Sequence, residues 1–187
     1  VGSEMCIRDR DQGEVREADY LMGQLLFGRS RFEEAVEHFE SVLEAIENRR
    51  LKMQLVQCFV NLRQFEEARR RFEALRQEGD ADLLSTLLEA SIVSGEADEL
   101  WLADRKEEAQ RKYAENAEIL DRAAQLSPMD PNPFVERARS LFNQAQRTGD
   151  PILLDDALRW LARADEVQVD HPDTSKVRVA ILMAKNN

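Results

Sequence analysis

Along the start of the chain, Ala18, Leu21, Met22, Leu25 and Leu26 fall at i, i+3, i+4, i+7 and i+8, the spacing of one apolar helical face. A polar break at Gly28-Arg29-Ser30 follows. Phe32, Ala35, Val36, Phe39, Leu43 and Ile46 then form the stripe of a second helix. So short a break makes the two an antiparallel αα-hairpin. The plan recurs at once: Leu55, Val56, Phe59 and Val60 mark a helix, Asn61-Leu62-Arg63-Gln64 a turn, and Phe65, Ala68, Phe72 and Leu75 a partner helix.

One phrase is written four times in this pattern. It reads Phe32-Glu33-Glu34-Ala35-x-x-x-Phe39, then Phe65-Glu66-Glu67-Ala68-x-x-x-Phe72, then Lys106-Glu107-Glu108-Ala109-x-x-x-Tyr113, and last Leu154-Asp155-Asp156-Ala157-x-x-x-Leu161. Internal repetition of a helical unit points to stacked hairpins. The small Ala suits the closest approach of two helices, where a larger side chain would push them apart. The residue four positions on lies on the same face one turn later.

The alanines are spaced 33, 41 and 48 residues apart, so the third and fourth units are lengthened. Residues 82–103 read either as one long helix with Ser94-Gly95 as a weak point, or as two helices parted at Gly95. The third unit has two competing registers, one on Ala109 and Tyr113 and one on Leu120, Ala123 and Pro128. Both fit a single helix from about Lys106 to Leu126. Pro128, Pro131 and Pro133 enforce a connector, with Asn132 as N-cap and Pro133 at the first helical position. Asp150 before Pro151 is a second start signal. In the final segment Val177, Ala180, Ile181 and Ala184 form one face, while Val179, Leu182 and Met183 make the opposite side apolar too. A terminal helix facing water should be polar there, which predicts a further helix or a partner against it.

The 33-residue interval from Ala35 to Ala68, with Gly23, Leu26, Phe32, Ala35, Phe39 and Val42 in the first unit and Phe59, Phe65, Ala68 and Phe72 in the second, resembles the tetratricopeptide repeat, a helix–turn–helix unit of about 34 residues. Val56 stands where that pattern has a small residue, and neither unit has its leading Trp or closing Pro. The resemblance implies an all-α fold, an α-α superhelix (solenoid) of about four hairpins plus a terminal helix. The hairpins fall at about 16–47, 49–79, 82–126 and 133–168, and the last helix at 173–186.

Composition agrees with this: Gly (7) and Pro (5) are scarce among 187 residues and aromatics are 6%, as in all-helical proteins. No apolar run approaches the roughly 18 residues that span a bilayer. The net charge of −11 is uneven, with −3 over residues 11–79, −8 over 80–131 and 0 over 132–187. A net-acidic chain repels phosphate backbones, which argues against nucleic acid as a partner. Arg69-Arg70-Arg71 follows Glu66-Glu67 at the spacing of intrahelical pairs.

Val1-Gly2-Ser3-Glu4-Met5-Cys6-Ile7-Arg8-Asp9-Arg10 resembles the translation of a transposase-type sequencing adapter fused to a gene fragment. Residues 1–10 are therefore set apart as non-native, and residues 11–187 are read as the repeat array. On this expectation the native start lies upstream.

Candidate chemistry is sparse. With Cys6 set aside, Cys58 is a single cysteine in an apolar helix, which gives no disulfide framework and reads as a core residue. His38 and His171 lie in no ligand-spaced cluster, so no metal and no cofactor is expected. There is no Gly-rich phosphate loop, nucleophile elbow or H-E-x-x-H. The acidic pairs recur with the repeat at helix starts, where the dipole favours them, and are read as structural. No catalytic residue is assigned. Trp160, beside Leu158 and Leu161, is expected in packing; Trp101 is a candidate exposed anchor.

By resemblance, first helices line a concave groove, and its first two units would present Tyr20, Gln24 and Phe27, then Met53, Gln57, Val60 and Asn61. In the chaperone-binding branch of the family, Lys and Asn at such positions clamp a C-terminal carboxylate. Here Tyr20 and Met53 replace the Lys, and Gln24 and Gln57 the Asn, so the face looks suited to an extended or helical peptide. The expected function is a non-enzymatic scaffold for a protein or peptide segment. Two alternatives stand beside it: the docking array of an enzyme whose catalytic domain lies outside these residues, and a self-association module acting through the last helix.

Overall fold

The computed structural model describes residues 2–79 and 81–185, with side chains from Val15 onward. The adapter-like segment 1–10 thus lies outside the residues whose side chains are described. The described residues form helices joined by short turns: α1 (Gly2–Gly28), α2 (Phe32–Leu43), α3 (Arg49–Asn61), α4 (Phe65–Gln77), α5 (Leu83–Leu102), α6 (Lys106–Leu126), α7 (Asn132–Thr148), α8 (Ile152–Val167) and α9 (Pro172–Lys185). They fall into two compact units, residues 1–79 and 80–187.

In the first unit α1 pairs with α2 and α3 with α4, and α2 also packs on α3. In the second, α5 pairs with α6 and α7 with α8, while α7 also meets α5, α6 and α9. Ala35, Ala68, Ala109 and Ala157, the invariant residues of the phrase, are all fully buried at 0% exposure. Phe39, Phe72, Tyr113 and Leu161, four residues on, are buried with them. The phrase is therefore the seam of each hairpin.

The first three hairpins turn in the same way. Ser30, Arg63 and Asp104 adopt φ of 58°, 58° and 59°. Behind them the amides of Arg31, Gln64 and Arg105 donate to the carbonyls of Leu26, Phe59 and Leu100 at 2.9 Å. The amides of Ser30, Arg63 and Asp104 donate to Phe27, Val60 and Trp101 at 3.0, 3.0 and 3.1 Å. These paired bonds are a Schellman closure, which satisfies carbonyls the helix end leaves open. Glycine usually fills its left-handed position, so a non-glycine residue there carries strain. The fourth hairpin uses Gly149 at φ 73°, with one bond from its amide to Ala145 O.

The longer intervals of the second unit are absorbed by longer helices. α5 runs unbroken through Ser94-Gly95 for 20 residues and α6 for 21, against 13 each in α3 and α4. Both registers of the third unit are thereby used. Ala109 and Tyr113 pack with Ala97 near the turn, and Leu120 and Ile119 pack with Ala90 and Val93 further along. Asp82 starts α5 with a capping box, accepting from Ser85 N at 2.7 Å while Ser85 Oγ accepts from Asp82 N at 3.0 Å.

Three details differ from the sequence pattern. Leu21, Met22 and Leu25, assigned to the apolar face of the first helix, are exposed, whereas Gly23 and Leu26 are buried. The backbone closeness that Gly23 permits turns its own side of α1 toward α2. Ile46 lies beyond the end of α2 and is exposed. The helix starts at the prolines shift by one residue. α7 begins at Asn132, whose amide donates to Asp130 Oδ1 at 2.8 Å, and α8 at Ile152, whose amide donates to Asp150 Oδ1 at 2.9 Å.

Two buried polar clusters in the second unit are satisfied across helices. Asn116 on α6 donates to Ala90 O on α5 and accepts from Ser140 Oγ on α7, both at 2.6 Å. Tyr113 donates to Asp98 Oδ1 at 2.8 Å, and Arg147 of α7 stands 3.6 Å from Asp98 Oδ2. Burial, followed by the Asp98 hydrogen bond, pushes the Tyr113 phenol well above its ordinary range. These two ties link α5, α6 and α7.

Candidate functional site

The groove residues expected from sequence all fall in the first unit, on α1 and α3. Tyr20, Gln24 and Phe27 at i, i+4 and i+7 share a face of α1, and Met53, Gln57, Val60 and Asn61 follow the same spacing on α3. Gln24 joins the two helices, but its partner is Gln54. Gln24 Nε2 donates to Gln54 Oε1 at 2.6 Å, and Gln54 Nε2 donates back to Gln24 Oε1 at 3.0 Å. Each amide keeps one further N–H and acceptor capacity. Gln54, Gln57 and Asn61 stand at i, i+3 and i+7 on α3, an uncharged amide stripe whose first member the groove positions alone do not pick out.

The other expected residues divide. Tyr20 (38%) and Asn61 are exposed, and Gln57 and Val60 are half-buried. Met53 is buried at 6% and presents little surface to a ligand. Phe27 is half-buried within its hairpin, its ring 5.7 Å from Phe32 and 6.3 Å from Phe39. Charges around the stripe are matched internally. Lys52 meets Glu78 at 2.7 Å and Glu47 at 3.4 Å, and the Glu78 hydrogen bond raises its ammonium pKa. Arg71 lies 4.8 Å over the Phe59 ring and pairs with Glu40 and Glu67.

Trp101 is half-buried. It packs against Ala97, Ala109 and Tyr113, with Lys106 Nζ 5.8 Å from its ring, while its neighbour Leu102 is exposed. Trp160 is half-buried and stacked on Phe134.

At least one member of each acidic pair is engaged structurally. Arg31 and Arg105, at the helix start, each make two hydrogen bonds to Glu34 and Glu108. Glu67 accepts from Arg70 and Arg71, and these bonds, Arg70's foremost, hold its carboxyl down at about 2. Asp156 pairs with Arg159, and Asp155 with Lys185 of α9.

Among the described residues a Ser–His–Asp grouping occurs. Ser41 Oγ donates to Asp19 Oδ2 at 2.8 Å, and His38 Nδ1 lies 3.0 Å from Asp19 Oδ1. The hydroxyl meets the carboxylate rather than the imidazole, so the bond that activates a serine nucleophile is not formed. The trio ties α1 to α2, and its hydrogen bonds, from Ser41 first and then His38, lower the Asp19 pKa. Cys58 is buried, which pushes its thiol up to about 12 and leaves it unreactive. Among the described residues no group of three or more His, Cys, Asp or Glu side chains could hold a metal ion, and no helix is long and apolar enough to cross a membrane.

No family model and no curated protein matches the chain. Among solved structures it is similar to a thermophilic TPR protein of Thermus thermophilus, at 16% identity and a TM-score of 0.58, over 90% of this chain and 99% of that one. That likeness agrees with the fully buried alanine seam and the repeated turn. The chain is TPR-like in fold, an arrangement of repeated helical hairpins with no strand among the described residues.

Proposed function

We propose that the protein is a non-enzymatic interaction scaffold that holds an extended peptide segment along the α1–α3 face of its first unit. The observation that carries this reading is the reciprocal Gln24–Gln54 pair, continued by Gln57 and Asn61 and flanked by the exposed Tyr20. A carboxamide offers a donor and an acceptor side by side, as a peptide unit does. A stripe of them suits a ligand's main chain, while Tyr20 and Val60 supply contact area at low entropic cost. The test is selection from a displayed random-peptide library, followed by titration of an enriched peptide against wild type and Tyr20→Ala/Gln57→Ala/Asn61→Ala. At least tenfold weaker binding by the triple variant, roughly 1.4 kcal/mol, is expected. Equal binding, or no enrichment, contradicts the proposal.

A second reading is self-association through α9, favoured by the exposure of Val179, Leu182 and Met183 beside the buried Val177 and Ile181. Light scattering on the whole chain tests it. A monomer at all concentrations counts against it.

A further inference from the structure

In the second unit the N-terminal part of α7 lies beside the C-terminal part of α8, and an aromatic and cationic cluster occupies that end of the hairpin. The Phe134 and Trp160 rings stack at 6.1 Å and 24°. The Arg163 guanidinium sits 4.7 Å from the Trp160 centroid and 5.0 Å from that of Phe134, and Arg137 lies 5.9 Å from Trp160. Phe134 is buried, Trp160 and Arg137 are half-buried, and Arg163 is exposed.

A guanidinium stacked on a ring keeps its in-plane N–H donors for another partner. Two other ring-stacked cations turn their N–H donors to the chain's own carboxylates. Arg71 over Phe59 also binds Glu40 and Glu67, and Lys106 over Trp101 also meets Asp104. Neither Arg137 nor Arg163 forms an ion pair with any described carboxylate, and Arg137 Nε is buried with no acceptor of the chain in reach. Asp121 and Asp156 act on the half-desolvated Arg137 without forming an ion pair with it, so its buried Nε keeps an unmet hydrogen-bond demand, and an anion brought by a partner would add to the compensation of the two guanidinium groups.

We infer that the Phe134–Trp160 stack with Arg137 and Arg163 is a second recognition site, taking an aspartate or glutamate side chain of a partner protein. The carboxylate accepts from Arg163 in bidentate fashion, and an apolar neighbour in the partner covers the open part of the Trp160 ring. A carboxylate fits better than a phosphate because Asp121 and Asp156 act on Arg137 electrostatically, and their negative charge opposes a dianion more than a monoanion. The site uses no residue of the α1–α3 face, so it stands or falls separately from the function proposed above.

The test titrates three capped pentapeptides, Ala-Leu-X-Leu-Ala with X as Glu, Gln or phosphoserine, into isotopically labelled whole chain. The readouts are the two Trp indole N–H signals and the Arg side-chain N–H signals. The Glu peptide should shift Trp160 and Arg163 while Trp101 stays in place, and the Gln peptide should bind about tenfold more weakly, as the loss of a charge-assisted hydrogen bond implies. Arg163→Gln, an exposed change that leaves the core intact, should bring the Glu peptide to the level of the Gln peptide; unchanged helical circular dichroism confirms that the variant is folded. Equal binding of the Glu and Gln peptides, tighter binding of the phosphoserine peptide, or no shift with the Glu peptide would each overturn the assignment.

Discussion

Gly23 on α1 and Phe39 on α2 meet so closely that a Cβ added at Gly23 would stand 2.5 Å from Phe39 Cε1 and 2.6 Å from Cδ1. Phe39 is fully buried, so its ring would have to shift within the core to admit one. Gly28, five residues on, has no heavy atom within 4 Å of the same construction. Two glycines of one helix thus have opposite roles.

Gly23→Ala sets a helix-propensity gain of about 1 kcal/mol against overpacking of about 1–3 kcal/mol. The variant should be destabilised by about 1 kcal/mol or more, whereas Gly28→Ala should be neutral or gain up to about 1 kcal/mol. Urea unfolding of the two variants reads the difference. Adding Phe39→Leu to Gly23→Ala should cost less than the two single changes summed, because the clash is then relieved.

The left-handed turn positions give a second prediction. Ser30 is exposed and holds φ 58° without glycine's freedom. Ser30→Gly should stabilise the first hairpin by about 0.5–1 kcal/mol, and the β-branched Ser30→Val should cost about 1–2 kcal/mol. Thermal unfolding midpoints check both signs.

Asn116 carries a third. Replacing it with Leu removes the acceptor of Ser140 and the donor to Ala90 O, at about 1–3 kcal/mol for the polar group left buried and unpaired. Adding Ser140→Ala should recover part of that loss. Chemical denaturation of the single and double variants measures the recovery.

Acid dependence gives a fourth. The Glu67 carboxyl is held at about 2 in the folded chain, against an ordinary value of 4.5. A carboxyl depressed on folding stabilises above its unfolded value and loses that contribution as pH falls through the folded one. The stability gap between wild type and Glu67→Gln should be full above about pH 4.5 and close as pH falls toward about 2. A gap that does not change over this range would contradict the Arg70 and Arg71 pairing.

Much of the fold is legible in the sequence because the phrase repeats the contacts that matter. Alanine is kept at each hairpin seam for closeness, and the residue four positions on fills the space beside it, so spacing alone locates both. The turns are harder to read: three use Ser30, Arg63 and Asp104 where glycine is the usual signal. The lengthened units look like insertions but are helix extensions, since helical periodicity continues through Ser94-Gly95. The candidate site is only partly legible. Groove position marks Tyr20, Gln57 and Asn61, yet Met53 is buried at the same periodicity, and the Gln24–Gln54 bond depends on a cross-helix register that no single helix encodes. Asn116 is readable in principle as a polar residue on the apolar face of Tyr113, Leu120 and Ala123, but its partners lie on two other helices.

Amide hydrogen exchange of the whole chain, with and without a library-selected peptide at saturation, reads the proposed peptide face without any substitution. Exchange should slow in the described part of α1 and in α3, most strongly near Gln24 and from Gln54 to Asn61, with α8 and α9 unchanged. Protection confined to α8 or α9, or none at all, would contradict binding along the α1–α3 face.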